Sequence, residues 1–370
     1  MQRSDRPPGG RAKVRGRVRS TLPLLLLLLL TGLALPVRAQ AVREGSLRLS
    51  AGTLVDGNAP RDFTETDGSG ASAQPDVGLH LLGSAAGRYT AERYQLVGRY
   101  DLGTRLYLRY RSQSLLVQAG TVEASHALGP TLGAGVEARA KDRRGGARAY
   151  SDLGASAFLE YVPDVRLDVR LRAGAHRFVY RPDERADFGG PELSLTGRYR
   201  IDRRHSLSAS GEWGRRRYGV GAQSAPELVS PALGRREDQE LSAGVGYAYR
   251  GPVALSFGYG FQELASNSYG ETLLRHRLSA SAGVHLPLQF TLLAQGALVL
   301  SHYPDGVFLS PDIILTEDEE AQNNLSLRLV RPLTRSLDLE LSGGIYGTRL
   351  PRNGLSYTRS MAGVGVTWRL

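Results

Sequence analysis

Apolar and polar residues alternate with a two-residue period along most of this chain, most cleanly at its end. In residues 357–370 one face carries Ala362, Val364, Val366, Trp368 and Leu370. The other carries Arg359, Gly363, Gly365, Thr367 and Arg369. Successive side chains of an extended strand point to opposite faces, so this reads as a strand with one apolar side. A strand at a chain end leaves an open edge, a liability unless it pairs with the first strand and closes a barrel. Read backwards, the same alternation gives apolar faces over 337–347, 325–329, 288–298, 278–286, 253–261, 241–249, 207–213, 193–201, 165–171, 153–161 and 132–138. Nearer the N-terminus, strands are expected near 46–54, 77–84, 89–100 and 104–122, with a phase change at 112–114 that implies a β-bulge or a second strand. The count is sixteen, with fourteen or eighteen as the neighbouring even numbers.

The connections alternate in length. Short ones fall at 332–334, around Pro287, and at 251–252, 202–205 and 163–164; long ones at 349–356, 302–321, 263–272, 216–237, 181–191 and 141–148. Short turns at one end and long loops at the other are how barrels of the outer-membrane type are built. Tyr161, Tyr199, Trp213, Tyr249, Tyr259 and Trp368 fall near strand ends, as an aromatic girdle does. A soluble sandwich also alternates, but its wet face favours Lys, Glu and Thr, whereas here the polar face is rich in Gly, Ser and Arg. The expected fold is therefore all-β: one closed antiparallel transmembrane β-barrel over residues 44–370.

Residues 1–39 read as a secretory signal peptide: Arg3, Arg6, Arg11, Lys13, Arg15, Arg17 and Arg19 precede a leucine run, and small residues offer cleavage after Ala39 or Ala41. The apolar run is short for a spanning helix. With no cysteine, the chain has no lipid-anchored cysteine, disulfide or thiolate site. Of the formal charge of +11, residues 1–39 supply +7, so the remainder is only about +4 and a nucleic-acid partner loses its main support. Lys13 and Lys141 are the only lysines; every other such cation is arginine.

On the pattern of residues 44–370, the chain resembles Gram-negative outer-membrane β-barrel proteins, by architecture and without a family motif. The resemblance implies an integral outer-membrane location, contact with outer-membrane lipid and lipopolysaccharide, and insertion by the barrel assembly machinery. It also implies association as a homotrimer or with a periplasmic export partner. Members usually end in Phe or Trp; this chain ends Trp368-Arg369-Leu370.

If the apolar face meets lipid, the other lines a lumen. That face would carry Arg48, Arg93, Arg99, Arg105, Arg109, Arg111, Arg139, Arg166, Arg170, Arg172, Arg198, Arg200, Arg275, Arg277, Arg328 and Arg359, against Glu137, Asp152, Glu160, Asp168, Glu192, Glu212, Glu240, Asp338 and Glu340. Guanidinium binds carboxylate and phosphate bidentately, and a low-dielectric wall focuses its field, so an anion-favouring pore is expected. The competing reading is arginine–acid pairing that braces the wall. Acid collects at 55–76 and 302–321; Glu317, Asp318, Glu319 and Glu320 are candidates for a divalent cation, without an EF-hand spacing. No cofactor is implied. Enzyme signals are poor: no zinc-type His spacing, Gly-x-Ser-x-Gly or phosphate loop occurs, and His276, in phase with the lipid-facing residues, has no evident serine partner. The first expectation is a channel for hydrophilic anionic solutes. The others are an exit port for an exported polysaccharide, a structural barrel or anchor for surface machinery and, last, an outer-membrane hydrolase.

Overall fold

The computed structural model describes residues 42–60, 64–65, 73–145, 149–181, 183–224, 234–304, 323–350 and 355–370. The predicted signal segment and the acidic run 317–320 lie outside the described residues. Sixteen long strands form one sheet: β1 (Val42–Asp56), β2 (Asp76–Thr90), β3 (Tyr94–Tyr107), β4 (Leu115–Ala127), β5 (Leu132–Arg144), β6 (Tyr150–Tyr161), β7 (Leu167–Tyr180), β8 (Phe188–Arg200), β9 (His205–Gly221), β10 (Arg235–Arg250), β11 (Val253–Ser266), β12 (Leu273–His285), β13 (Thr291–His302), β14 (Asn323–Pro332), β15 (Leu337–Leu350) and β16 (Leu355–Arg369). A two-residue strand, Thr64–Glu65, adds to the edge of β16. Every long strand pairs antiparallel with its neighbours in sequence, and β1 pairs with β16 in register from Arg48↔Arg369 to Asp56↔Met361. The sheet is thus a closed barrel of sixteen strands.

Closure decides the two faces. Leu79, Leu81, Leu193, Leu195, Val245, Phe257, Leu278, Leu298, Leu325, Leu341, Val364 and Val366 all stand exposed on the outside. Such a continuous apolar exterior is unfavourable in water and is what a barrel needs in hydrocarbon, where every strand N–H and C=O is already paired. Tyr161, Tyr199 and Trp368 are exposed on that face near the short-turn end. Among the described residues no helix is long and apolar enough to cross a membrane, which leaves crossing by strands open.

The early strands differ from the sequence expectation. The chain turns at 91–93, where Ala91 N donates to Tyr94 O at 2.9 Å, so 89–100 is divided between β2 and β3. The expected strand 104–122 is also two strands. A short 3-10 turn, Arg111–Gln113, reverses the chain where the phase changes, with Gln113 N bonded to Tyr110 O and Ser114 N to Arg111 O. Leu288 sits in a 3-10 turn with φ 59°, so β13 begins at Thr291 rather than at 288. At the other end the strands run further than their apolar alternation, β9 to Gly221 and β10 from Arg235. There Arg215, Arg216 and Arg217 oppose Gln239, Asp238 and Glu237, so both faces are polar and the two-residue signal vanishes.

Candidate functional site

The inner wall of the barrel is the candidate site, and alternation positions it: each strand that turns one parity to the exterior turns the other inward. The wall is layered along the barrel axis.

The middle layer is a belt of ion pairs. Arg170 on β7 reaches Glu123 on β4 at 2.8 Å and Glu160 on β6 at 3.0 Å, with its guanidinium over the Phe158 ring. Arg172 bonds Glu137 at 3.1 Å and the Ser194 hydroxyl at 3.2 Å. Arg139 on β5 lies across Gly154, where a Cβ would meet its Nε at 2.7 Å, and bonds Glu192 on β8 at 2.6 Å. Glycine at 154 is what lets the guanidinium lie flat on the wall and cross two intervening strands. Further round, Arg216 bonds Glu240, Gln262 donates to Glu240 at 2.7 Å, and Arg275 donates to Gln262 and Ser301. Arg328 pairs with Glu340 at 2.9 Å. Arginines bound in this way tie strands together and present a partly neutralised wall.

Above the belt, four inward rings pack in a row across neighbouring strands, three of them stacked and the fourth tilted. Tyr150 and Phe178 have centroids 5.1 Å apart, Phe178 and Phe188 4.9 Å, Phe188 and Tyr218 5.3 Å. Cations cap them: Lys141 over Tyr150, Arg216 over Phe188 and Arg236 over Tyr218 at 4.1 Å. Near the seam, Asp56, Tyr107 and Arg359 form a buried triad in which Arg359 Nε donates to Asp56 Oδ1 at 2.8 Å and Tyr107 hydrogen-bonds both partners.

The sequence-based lumen candidates fall into three groups. Arg139, Arg170, Arg172, Arg275 and Arg328 belong to the belt. Arg99, Arg105, Arg198, Arg200 and Arg277 also face inward: Arg99 pairs with Asp101 at 2.7 Å, and Arg200 donates to Val165 O at 3.3 Å beside the short-turn mouth. Arg105 and Arg198 make no ion pair or side-chain hydrogen bond among the described residues, and Arg105 Nε is buried without a partner. Arg109, Arg111 and Arg166 stand in connections rather than on strands. The backbone N–H groups of Arg109 and Tyr110 are held by the Asp76 carboxylate. At the short-turn end Asp202 accepts from the N–H of Arg204 at 2.7 Å and of His205 at 2.8 Å, bonds that hold its carboxyl below the ordinary range.

Two cavities open on the wall. One of about 750 Å³ is bordered by Leu54, His80, Leu82, Arg105, Arg250, Ser256, Ser281, Gln295, Arg328 and Glu340. Another, of about 420 Å³, lies over β7–β12. Among the described residues no group of three His, Asp or Glu could hold a metal ion. His176 lies 3.5 Å from Asp152, and His276 bonds the Tyr259 hydroxyl at 2.8 Å on the exterior.

The sequence reading passed over Glu123, Asp101, Asp238, Tyr107 and the row of four rings, and placed Asp56 and Asp76 in an acidic loop. Parity finds several of them: Phe178 and Phe188 are in phase with Arg172 and Glu192. Which residues meet across two or three strands is set by side-chain reach over the curved wall and has no sequence signal.

No family model and no curated protein matches the chain. Solved structures similar to it include a bacterial polysaccharide outer membrane secretin (11% identity, 90% of this chain and 100% of that one, TM-score 0.45). A variant porin of Rh. blastica (10%, 89% and 100%, 0.41) and a variant of the TodX monoaromatic hydrocarbon channel (10%, 88% and 90%, 0.41) are also similar. At these identities and scores the likeness carries nothing about solutes; the barrel rests on the strand pairing of the chain itself.

Proposed function

We propose that the chain is an integral outer-membrane channel through which hydrophilic anionic solutes diffuse. The observation that supports it is the inside-out polarity of a closed barrel: an exposed aliphatic exterior surrounds an inner wall of Arg, Glu, Ser and Gly, and Arg105 in the larger cavity has no ion-pair partner among the described residues. The belt pairs neutralise most of the guanidinium charge, so the anion preference falls to the few unpaired cations rather than to the total number of arginines. An unpaired guanidinium in a low-dielectric channel acts on passing anions through a focused field.

Planar-bilayer recording of the purified, detergent-folded protein tests this. Stable conductance steps with a reversal potential favouring chloride over potassium are expected, and R105E shifts the preference toward cations. A folded barrel with no conductance overturns the channel reading and favours a plugged export port or a surface anchor. Conductance with unchanged selectivity in folded R105E removes the role of Arg105.

A further inference from the structure

We propose that the cavity of about 420 Å³ on the inner wall is a binding subsite for an acidic polyol, a sugar unit bearing one carboxylate or phosphate, held between Arg198 and Arg277. The proposal rests on the channel reading and names a ligand class for it.

Two consecutive rungs of inward residues build the cavity. One runs Asp168, Arg198, Ser208, Gly246, Gly258, Ser279 across β7 to β12, each residue directly opposite the next. The next runs Thr196, Ser210, Gly244, Gly260, Arg277 across β8 to β12. Four glycines therefore make a two-by-two floor at the centre; Ser208 and Ser210 border it on one side, with Arg198 and Thr196 beyond them, and Ser279 and Arg277 border it on the other. The floor is low because no side chain rises from it. Ser210, Ser208 and Ser279 place their hydroxyls 2.9, 2.7 and 2.8 Å from where the Cβ atoms of Gly244, Gly246 and Gly258 would stand. At a strand spacing of ~4.8 Å, the backbones of Arg198 and Arg277 are about 19 Å apart along the sheet, and both side chains line the space between.

This combination suits one ligand chemistry. Guanidinium takes a carboxylate or a phosphate bidentately, and serine hydroxyls serve a polyol as donors or acceptors. Arg198 is available to bind it, since neither Arg198 nor Asp168 opposite it makes an ion pair or side-chain hydrogen bond among the described residues. In the belt above, Arg139, Arg170, Arg172, Arg216 and Arg328 are bound to glutamates, whereas in this cavity an arriving oxyanion finds the Arg198 guanidinium without a bound carboxylate.

Titration calorimetry of the detergent-folded protein with glucuronate and with glucose 6-phosphate, against glucose and acetate as controls, tests the proposal. Saturable binding of either acid is expected, at least tenfold tighter than either control. R198Q, which keeps much of the side-chain length, weakens it about tenfold or more, the loss of one charge-assisted hydrogen-bonding partner. D168N removes the opposing charge and tightens binding. G260L fills the floor without touching charge and abolishes binding; a Cβ at Gly260 meets nothing closer than Ala243 O at 3.9 Å, so the barrel accommodates it. Equal binding of acetate and of the acids, or acid binding indifferent to R198Q and G260L in variants that retain heat-modifiable mobility, overturns the subsite. An open channel without saturable acid binding overturns the subsite alone. A non-conducting barrel that binds the acid through Arg198 overturns the channel reading alone.

Discussion

At the scale of the residue, burial separates the charged groups that brace from those that can act. Asp56 and Arg359 are almost wholly buried at the seam and satisfy one another together with Tyr107. Removing one partner of such a pair leaves a buried charge uncompensated, which costs about 3–5 kcal/mol, whereas replacing both with apolar residues restores much of it. D56L is therefore expected to lower urea-unfolding stability by that order, and D56L/R359M to recover most of the loss; equal stability of D56L and wild type would remove the triad's bracing role. The exposed turn carboxylates behave differently. Backbone N–H bonds from Arg204 and His205 lower the pKa of Asp202, and those from Arg166 and Leu167 lower that of Asp164. A lowered folded-state pKa means the stabilisation is present at neutral pH and is lost as pH falls through the folded value, below the ordinary carboxylate range. Amide exchange at Arg204 and His205, relative to unstructured amides, should accelerate only once the pH has dropped below that ordinary range. Acceleration already at a pH of about 5, above the range of a free aspartate, would contradict this assignment.

At the scale of the element, two signals compete along each strand. Over the apolar exterior, alternation specifies both strand and face, and 193–201 or 241–249 needs nothing else. Where the strands rise beyond that band, β9 and β10 carry Arg215, Arg216, Arg217, Arg235, Arg236 and Glu237 in unbroken runs. There the ladder is kept by backbone pairing and by cross-strand ion pairs such as Arg215–Glu237, Arg216–Glu240 and Arg217–Glu237 at 3.6 Å, not by an apolar face. The terminal strand is the element on which all others depend. β16 covers edges of both β15 and β1, so deleting residues 361–370 exposes two unpaired edges that hydrocarbon does not tolerate. The truncated chain is expected to yield no heat-modifiable, membrane-inserted species on a gel assay. Normal insertion would show that β1 finds another partner.

At the scale of the whole molecule, closure turns a sequence of alternations into an inside and an outside. It places Glu123 on β4 within reach of Arg170 on β7, and it brings Arg139 to Glu192 over two intervening strands. The result is a wall whose arginines are largely committed to neighbouring glutamates. Ion selectivity in such a barrel is therefore expected to be moderate and to weaken as salt rises, because the Debye length shrinks from about 10 Å at 0.1 M to about 3 Å at 1 M. Reversal potentials recorded at both concentrations check this. Selectivity unchanged between them would point to a steric filter rather than to the field of Arg105 and Arg198.

The sequence by itself determined the antiparallel order, the sign of each face over the apolar band and the inward phase of Arg139, Arg170, Arg172, Arg198, Arg275 and Arg328, and it put the strand count at sixteen with fourteen or eighteen left open. These follow from a two-residue period and from short turns, which are local. It left open whether the phase change at 112–114 marks a bulge or a second strand, and it did not place the turn at 91–93, because neither Ala91–Arg93 nor Arg111–Gln113 contains proline or glycine. Nor did it separate bracing arginines from unpaired ones. Arg170 and Arg198 look alike in the sequence, one inward residue on each of two adjacent strands. The first lies within reach of two glutamates and the second beside a floor of glycines, and that difference arises only when strands far apart in the chain close around a common axis.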